Sequence, residues 1–268
     1  MLTGLYEGVR QYLAEIWECR YFWFHLVKCD LQKRYRRSVL GIGWSMLQPL
    51  SMALILSFVY SKALGVDFWQ FGPALLIGLA FWTVVQQSSI QGCLCFINAE
   101  PYLRQQPLPS AIFPLRVVLI CGFHFMISLV LAAGFSWFGS GTIHPLGLLA
   151  AVPCVALVLL FCWGLATIAA FAHVYLADTQ HLMEVGLQMV FYLTPIIYPP
   201  SLLQNNGLGW VIEINPLAQL LELLRVPLLT GELPSLLAVV KGLAVVLPPV
   251  GLAVYLVSRL ESDLVFAL

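Results

Sequence analysis

The lysines of this chain decide whether it could bind a nucleotide in the usual way. A phosphate-binding loop needs Gly-x-x-x-x-Gly-Lys followed by Ser or Thr, because backbone N–H groups and the lysine together hold the phosphates. No lysine of this chain follows a glycine or precedes a serine or threonine: Lys28, Lys33, Lys62 and Lys241. This chain therefore lacks the usual nucleotide-binding loop.

Other catalytic and metal-binding patterns are also missing. The sequence contains no His-Glu-x-x-His zinc motif, no Gly-x-Ser-x-Gly nucleophile motif and no Cys-x-x-Cys pair. Asp178 and His181 could share a helix face, but without a nearby nucleophile a local hydrogen bond is the favoured interpretation. The 7 cysteines lie mostly in apolar runs and are interpreted as small buried hydrophobic residues. We expect no enzyme activity, metal or cofactor in this chain.

The composition indicates a membrane protein. Hydrophobic residues make up 60% of the 268 residues and charged residues only 10%, against about 45–50% and about 25% in a typical soluble chain. The 13 basic and 13 acidic residues balance, so the charge favours neither nucleic acid nor an acidic partner. A membrane span needs about 20 apolar residues. Six segments qualify, at about 43–61, 71–96, 111–138, 147–172, 184–199 and 235–257. We predict an all-α, polytopic membrane protein with a single domain.

His124 is the one titratable side chain near the middle of a predicted span. A carrier coupled to protons or sodium normally buries Asp, Glu or His there, whereas every Asp and Glu of this chain lies in a loop or near the end of a span. A lone histidine is more often an interhelical hydrogen-bond partner. Secondary transport is therefore disfavoured.

The distribution of lysine and arginine predicts the orientation, because these residues concentrate in cytoplasmic loops. Only Lys62 and Arg225 lie in segments on the side of the membrane opposite the termini, and Lys241 lies within the last predicted span. The others share the side of both termini: Arg10, Arg20, Lys28, Lys33, Arg34, Arg36, Arg37, Arg104, Arg116 and Arg259. Both termini are therefore predicted to be cytoplasmic.

Two segments outside the predicted spans have helical patterns of their own. Within residues 1–40, apolar residues recur at helical spacing with charges between them, which is typical of an amphipathic helix lying in the membrane interface. The basic residues after it either bind anionic lipid or form a platform for a partner. In the loop 200–234, Asn215-Pro216 predicts the start of a helix too short to cross. That helix is expected on, or dipping into, the outer face, as simple packing or as a lid.

Polar and aromatic side chains form stripes along three predicted spans. Neutral hydrogen-bonding groups are costly to turn toward lipid, so the stripes are expected to point inward. Rings with neutral amides and hydroxyls suit a passing sugar chain, and helix packing is the alternative. The candidates for a substrate path are Trp44, Gln48, Ser51, Phe58, Gln87, Gln91, Phe191, Thr194 and Tyr198.

Four stretches of the chain resemble the polysaccharide-export permeases of the type-2 ATP-binding-cassette (ABC) transporters, which export O-antigen, capsule and teichoic-acid chains. Residues 30–50 read DLQKRYRRSVLGIGWSMLQPL, 104–114 read RQQPLPSAIFP, 193–199 read LTPIIYP and 215–217 read NPL. The resemblance covers nearly the whole chain in order. Ala177 departs from the family, which tends to have an arginine before the residue equivalent to Asp178, so any contact made by that arginine is absent or moved.

The resemblance implies a homodimer of six-span permeases bound to two copies of an ATP-binding subunit, which would hold ATP and magnesium. It implies a coupling helix near 97–110 and an outer gate formed by short extracytoplasmic helices between spans five and six. The candidate contacts with the ATPase are Asn98, Glu100, Arg104 and Asp178. The pyrophosphate of a polyprenyl-linked or other lipid-linked chain would meet Lys33, Arg34, Arg36 and Arg37.

The expected function is that of the transmembrane subunit of an exporter in the bacterial cytoplasmic membrane, moving a lipid-linked polysaccharide outward. One alternative is a type-2 ABC permease for a drug, lipid or other small hydrophobic substrate. A membrane scaffold without transport activity is the third possibility.

Overall fold

The computed structural model describes residues 2–36, 38–106, 108–140 and 145–268, and all regular structure in these ranges is helical. The 12 helices are α1 (Leu2–Glu18), α2 (Arg20–Tyr35), α3 (Gly43–Leu64), α4 (Phe68–Cys93), α5 (Cys95–Leu103), α6 (Ile112–Ser140), α7 (Pro145–Tyr175), α8 (Thr179–Leu193), α9 (Pro200–Asn205), α10 (Gly209–Ile214), α11 (Pro216–Thr230) and α12 (Leu236–Ala267). The all-α prediction is confirmed for the part of the chain that the structure describes.

Among the described residues, five helices are long and apolar enough to cross a membrane: α3, α4, α6, α7 and α12. They confirm five of the predicted spans and a multi-pass architecture. Helix α4 is central, because 67% of its most apolar stretch is buried, against 11% for α3. It packs against α3, α6, α7, α8 and α11. Helix α3 therefore lies at the edge of the bundle, with most of its side chains uncovered within one chain.

The predicted fifth span, 184–199, does not form one continuous helix. Helix α8 has 15 residues, a length of about 22 Å at 1.5 Å per residue, which is shorter than the roughly 30 Å hydrocarbon core. It ends at Leu193 because Thr194 precedes Pro195 and takes an extended conformation, with φ −95° and ψ 130°. Pro195 therefore ends the regular part of this segment, and a sixth span stays a prediction.

Helix α11 begins beside the point where α8 ends. Asn215 Oδ1 accepts hydrogen bonds from the backbone N–H groups of Leu217 and Ala218, so the predicted cap is confirmed. Its Nδ2 donates to Leu193 O at 3.2 Å and to Thr194 Oγ1 at 2.9 Å. Helix α11 then packs against α4, α7 and α12 with most of its residues buried. It is thus inserted into the bundle, and only α9 and α10 form an exposed excursion between α8 and α11.

The side chains form two cores. The main core surrounds α4, and a smaller one, here called the terminal core, lies where the two ends of the chain meet. In the terminal core α5 and the ends of α6, α7 and α12 pack with side chains of α1 and α2, including Tyr12, Ile16 and Trp23. Trp23 Nε1 also donates to Ile16 O at 3.1 Å, which fixes the angle between α1 and α2. The cysteines of the apolar runs are buried as predicted: Cys93, Cys95, Cys121, Cys154 and Cys162.

Candidate functional site: a polar cleft beside a basic helix end

Helices α3, α4 and α6 enclose a cleft of about 440 Å³, and the end of α2 lines one part of it. Its walls combine aromatic and apolar side chains with neutral amides and hydroxyls. The polar side chains that line it are Arg34, Tyr35, Ser38, Ser45, Gln48, Thr83, Gln86, Gln87, His124 and Ser128. The neutral groups among them can exchange hydrogen bonds readily with a hydroxylated molecule. Arg34 is the one charged side chain among the described residues of this lining.

Tyr35 fastens the end of α2 to this cleft. Its hydroxyl lies 3.1 Å from His124 Nδ1 and also hydrogen-bonds with Ser45 Oγ. The phenol ring meets the imidazole edge to face, with 5.9 Å between ring centroids. Tyr35 therefore joins three helices, and its bond to His124 agrees with the interhelical hydrogen bond favoured by the sequence over a proton relay.

An ion pair also fixes α2 to α6, about two helical turns before His124 in α6. Arg116 Nε donates to Asp30 Oδ2 at 2.6 Å, and the two side chains are only 18% and 24% exposed. Partial burial reduces the screening of such a pair by solvent, so it contributes more than a surface salt bridge. Arg116 and Asp30 are 86 residues apart in the chain, so no local pattern in the sequence predicts this pair.

Three of the predicted path residues meet in the cleft: Trp44, Gln48 and Gln87. Gln91 extends their polar surface by one turn, since its Nε2 donates to Gln87 Oε1 at 2.7 Å. The other predicted residues of α3 lie outside the cleft. Ser51 donates to the carbonyl of Gln48 in its own helix at 3.1 Å, and Phe58 is 59% exposed on the uncovered side of α3.

The predicted path residues near the break after α8 have partners within this chain and do not line the cleft. The Phe191 ring packs against Trp82 with 5.2 Å between centroids. Thr194 is fully buried, and its hydroxyl donates to Val190 O while accepting from Asn215. Tyr198 donates to Tyr192 O at 2.9 Å. These contacts agree with the packing alternative, and a role in a substrate path stays a prediction for them.

The basic stretch lies between the polar cleft and a larger apolar groove. Arg34 lines the cleft, whereas Lys33 and Arg36 line a groove of about 1440 Å³ between α2, the start of α3 and α6. Arg37 lies outside the described residues. The groove walls are apolar and aromatic: Trp23, Phe24, Val27, Leu31, Leu40, Ile42, Leu119 and Phe123. A molecule with an apolar chain, an anionic group and a hydroxylated part would match the groove, the basic side chains and the cleft, in that order.

The predicted coupling segment contains α5, which begins at Cys95 directly after α4. Asn98 therefore lies inside the helix, because the chain turns at Leu94 before it. Glu100 and Arg104 form an ion pair at 2.8 Å, one helical turn apart. Asn98 and Arg104 are exposed, so this face of α5 is open to a partner.

Asp178, the other predicted ATPase contact, is exposed and directly precedes α8. Its side chain makes no capping hydrogen bond to the helix. His181 does not pair with Asp178 as expected, because its Nδ1 lies 3.5 Å from Glu184 Oε2 on the same helix. Asp178 is therefore available to a partner, on the segment that joins α7 to α8.

Arg225 is the residue whose environment the sequence analysis missed. It was assigned to an outer loop, but it lies on α11 and is only 7% exposed. Its guanidinium donates to Pro195 O at 2.9 Å, to Ala74 O at 3.2 Å and to Ile196 O at 3.4 Å. Arg225 therefore ties the break after α8 to α4. Gly78 leaves room for the guanidinium, because a Cβ there would lie 2.6 Å from Arg225 Nη2, and the sequence alone carries no signal of this contact.

Comparison with known proteins agrees with this architecture. The family model described as ABC-2 type transporter matches residues 21–229, a range that includes the cleft, the groove and the break after α8. Two O-antigen export system permease proteins RfbA of Klebsiella pneumoniae are 26% and 28% identical to the chain, over 84% of this chain and 87% of each relative. An O-antigen export system permease protein RfbA of Myxococcus xanthus is 26% identical over 78% of this chain and 80% of that protein.

Proposed function

Because the chain belongs to the ABC-2 type transporter family, we propose that it is the transmembrane permease subunit of an exporter for a lipid-linked polysaccharide. The similar proteins named above are O-antigen export permeases, and the chain covers 80–87% of their length. The subunit lies in the bacterial cytoplasmic membrane with both termini in the cytoplasm. Its sixth span is supplied by α8, with α11 continuing the path beyond the break.

The observation that carries this proposal is the order of surfaces around the end of α2. The apolar groove suits the hydrocarbon chain of a lipid carrier, and Lys33, Arg34 and Arg36 suit its phosphate groups. The polar cleft beyond them, with Gln48 and Gln87, suits sugar hydroxyls. A small hydrophobic drug would use the groove alone and would leave the cleft without a purpose, so the polysaccharide is favoured over the drug-permease alternative.

A separate ATP-binding subunit supplies the energy in this proposal. The sequence has no phosphate-binding loop, so ATP and magnesium would be bound by the partner. Helix α5 offers it an exposed face with Asn98, Glu100 and Arg104, and Asp178 offers a second contact. The apolar face of α5 lies in the terminal core, which would pass movement of α5 to the rest of the subunit.

A second copy of the chain completes the proposed channel. Only 11% of the most apolar stretch of α3 is buried, although this helix carries large exposed apolar side chains such as Trp44, Ile55 and Phe58. Helix α8 is similarly open, with Val185 and Met189 exposed. A homodimer that brings α3 and α8 of both copies around one axis would cover these surfaces and line a shared path.

The cleft can be tested with the double variant Gln48→Met, Gln87→Met, which removes two amides and keeps side chains of similar size. We expect surface polysaccharide to fall about tenfold or more, because two neutral hydrogen bonds together contribute about 2 kcal/mol. Gln70→Met is the matched control, since this amide is exposed at the start of α4, outside the cleft. Both the double variant and the control should form the complex with the ATP-binding partner at the wild-type yield.

Two outcomes would contradict the proposed function. Normal export by the fully assembled double variant would remove the cleft from the substrate path. If cells lacking the chain keep their surface polysaccharide but lose efflux of a hydrophobic dye, the chain is a permease for small hydrophobic substrates.

A further inference from the structure

Glu261 joins three helices at the end of the bundle where the two chain termini meet. Its carboxylate on α12 accepts a hydrogen bond from the backbone N–H of Ser110, just before α6. Oε1 also accepts from the hydroxyl of Tyr12 on α1 at 2.8 Å. The Tyr12 hydroxyl in turn accepts from the backbone N–H of Ala111 at 3.3 Å. We call Tyr12 and Glu261 the terminal clasp.

The terminal clasp holds the turn that leads into α6. The backbone N–H groups of Ser110 and Ala111, which directly precede the helix, donate to side chains from both ends of the chain. A carboxylate is favourable at this position because it faces the positive end of the helix dipole. Burial and the charge of Glu261 raise the pKa of the Tyr12 phenol above its usual range, so Tyr12 remains a hydrogen-bond donor.

The position of the terminal clasp relates it to α5. Ser110 belongs to the connection that leads from α5 into α6, and α5 itself packs in the terminal core with Tyr12 and Leu264. Both the helix and the end of its connection are therefore held by the same two elements, α1 and α12. A displacement of α5 cannot be absorbed at Ser110 while these hydrogen bonds remain.

We propose that Tyr12 and Glu261 are positioning residues for energy coupling, an inference that rests on the proposed function. The terminal clasp makes α1, α5, the start of α6 and the end of α12 move as one body. A push on α5 by the ATP-binding partner then reaches the spans α6 and α12 directly. Without the clasp, the connection between α5 and α6 changes shape when α5 moves, and ATP is hydrolysed without export.

The experiment compares Tyr12→Phe, Glu261→Ala and their combination in the complete complex with its ATP-binding partner. Phe keeps the ring in the terminal core and loses only the hydroxyl. We expect ATP hydrolysed per amount of polysaccharide exported to rise about tenfold in each variant, the effect of one hydrogen bond to a charged group. The combined variant should be no worse than Glu261→Ala, because both changes open the same clasp.

Matched controls are Tyr255→Phe and Asp263→Ala, exposed residues of α12 outside the terminal clasp. Glu261→Gln keeps an acceptor for both donors and should recover most of the coupling. An unchanged ratio of ATP hydrolysis to export in assembled Tyr12→Phe and Glu261→Ala complexes would overturn the inference, as would a proportional loss of complex and export. The proposed function fails separately, if the wild-type complex exports no polysaccharide.

Discussion

Gly78→Ala is the sharpest perturbation that the structure offers, because it acts on the contact between α4 and Arg225. A Cβ at Gly78 would lie 2.6 Å from Arg225 Nη2 and 3.2 Å from Ile196 Cγ2. The guanidinium cannot easily withdraw, since its nitrogens are held by the carbonyls of Ala74, Pro195 and Ile196. The added methyl group must therefore displace α11 or the break after α8.

The cost can be worked from these contacts. Overpacking a well-filled site costs about 1–3 kcal/mol. Loss of the weakest hydrogen bond of Arg225, at 3.4 Å to Ile196 O, would cost about 1.5 kcal/mol, the lower end for a charged donor. Replacing glycine by alanine inside a helix recovers up to about 1 kcal/mol. We expect a net loss of about 2 kcal/mol in the free energy of unfolding.

The assay is reversible denaturant unfolding of the purified chain in detergent micelles, with Gly134→Ala as the control. Gly134 is also helical, and a Cβ there meets no heavy atom within 4 Å. The control should be unchanged or stabilised by up to about 1 kcal/mol. The two variants add the same methyl group, so their difference isolates the contact with Arg225.

A double-mutant cycle completes the test. Arg225→Ala alone is destabilising, because it leaves buried carbonyls of residues 195 and 196 without a donor. In that background the closest obstacle to Gly78→Ala is gone and only the 3.2 Å contact with Ile196 Cγ2 remains, so the substitution should cost little, giving a coupling energy of up to about 2 kcal/mol. Additive effects, within about 0.5 kcal/mol, would refute the reasoning.

Three further predictions concern topology, coupling and the break after α8. In a cysteine-free background, Cys at Gln106 should resist an impermeant thiol reagent applied from outside and Cys at Asn206 should react; the reverse labelling would contradict the orientation. The purified chain alone should hydrolyse no ATP, and replacing both Glu100 and Arg104 by Ala should uncouple ATP hydrolysis from export or lower the yield of the complex. Turnover by the isolated chain would refute that assignment. Phe191→Ala should lower the yield of folded protein in parallel with export, because loss of a packed ring costs about 3–5 kcal/mol. Lost export at full yield would instead assign the ring to the substrate path.

Several properties of this protein follow from the sequence alone because they depend on residues close together in the chain. The long apolar segments predict α3, α4, α6, α7 and α12, since unbroken hydrophobicity over the width of a bilayer has few other uses. The Asn215-Pro216 pair predicts the start of α11 from local capping geometry. Pro195 predicts that α8 cannot continue as a regular helix.

Part of the candidate site was also predictable from the sequence. Trp44 and Gln48 are one helical turn apart on α3, so the face they share follows from the helical period. That Gln87 of α4 faces the same cleft follows only from the packing of the two helices. The periodicity of one helix shows which residues share a face, but not which neighbour that face meets.

The tertiary structure alone decided the partners of the buried polar groups. Arg225 was counted as a loop charge, yet it donates to carbonyls of α4 and of the break after α8. Glu261 meets Tyr12 from the other end of the chain. A buried charge or an uncapped helix end must find a partner, and the sequence shows that need. Which distant group meets it depends on how the helices pack, and no local pattern records that.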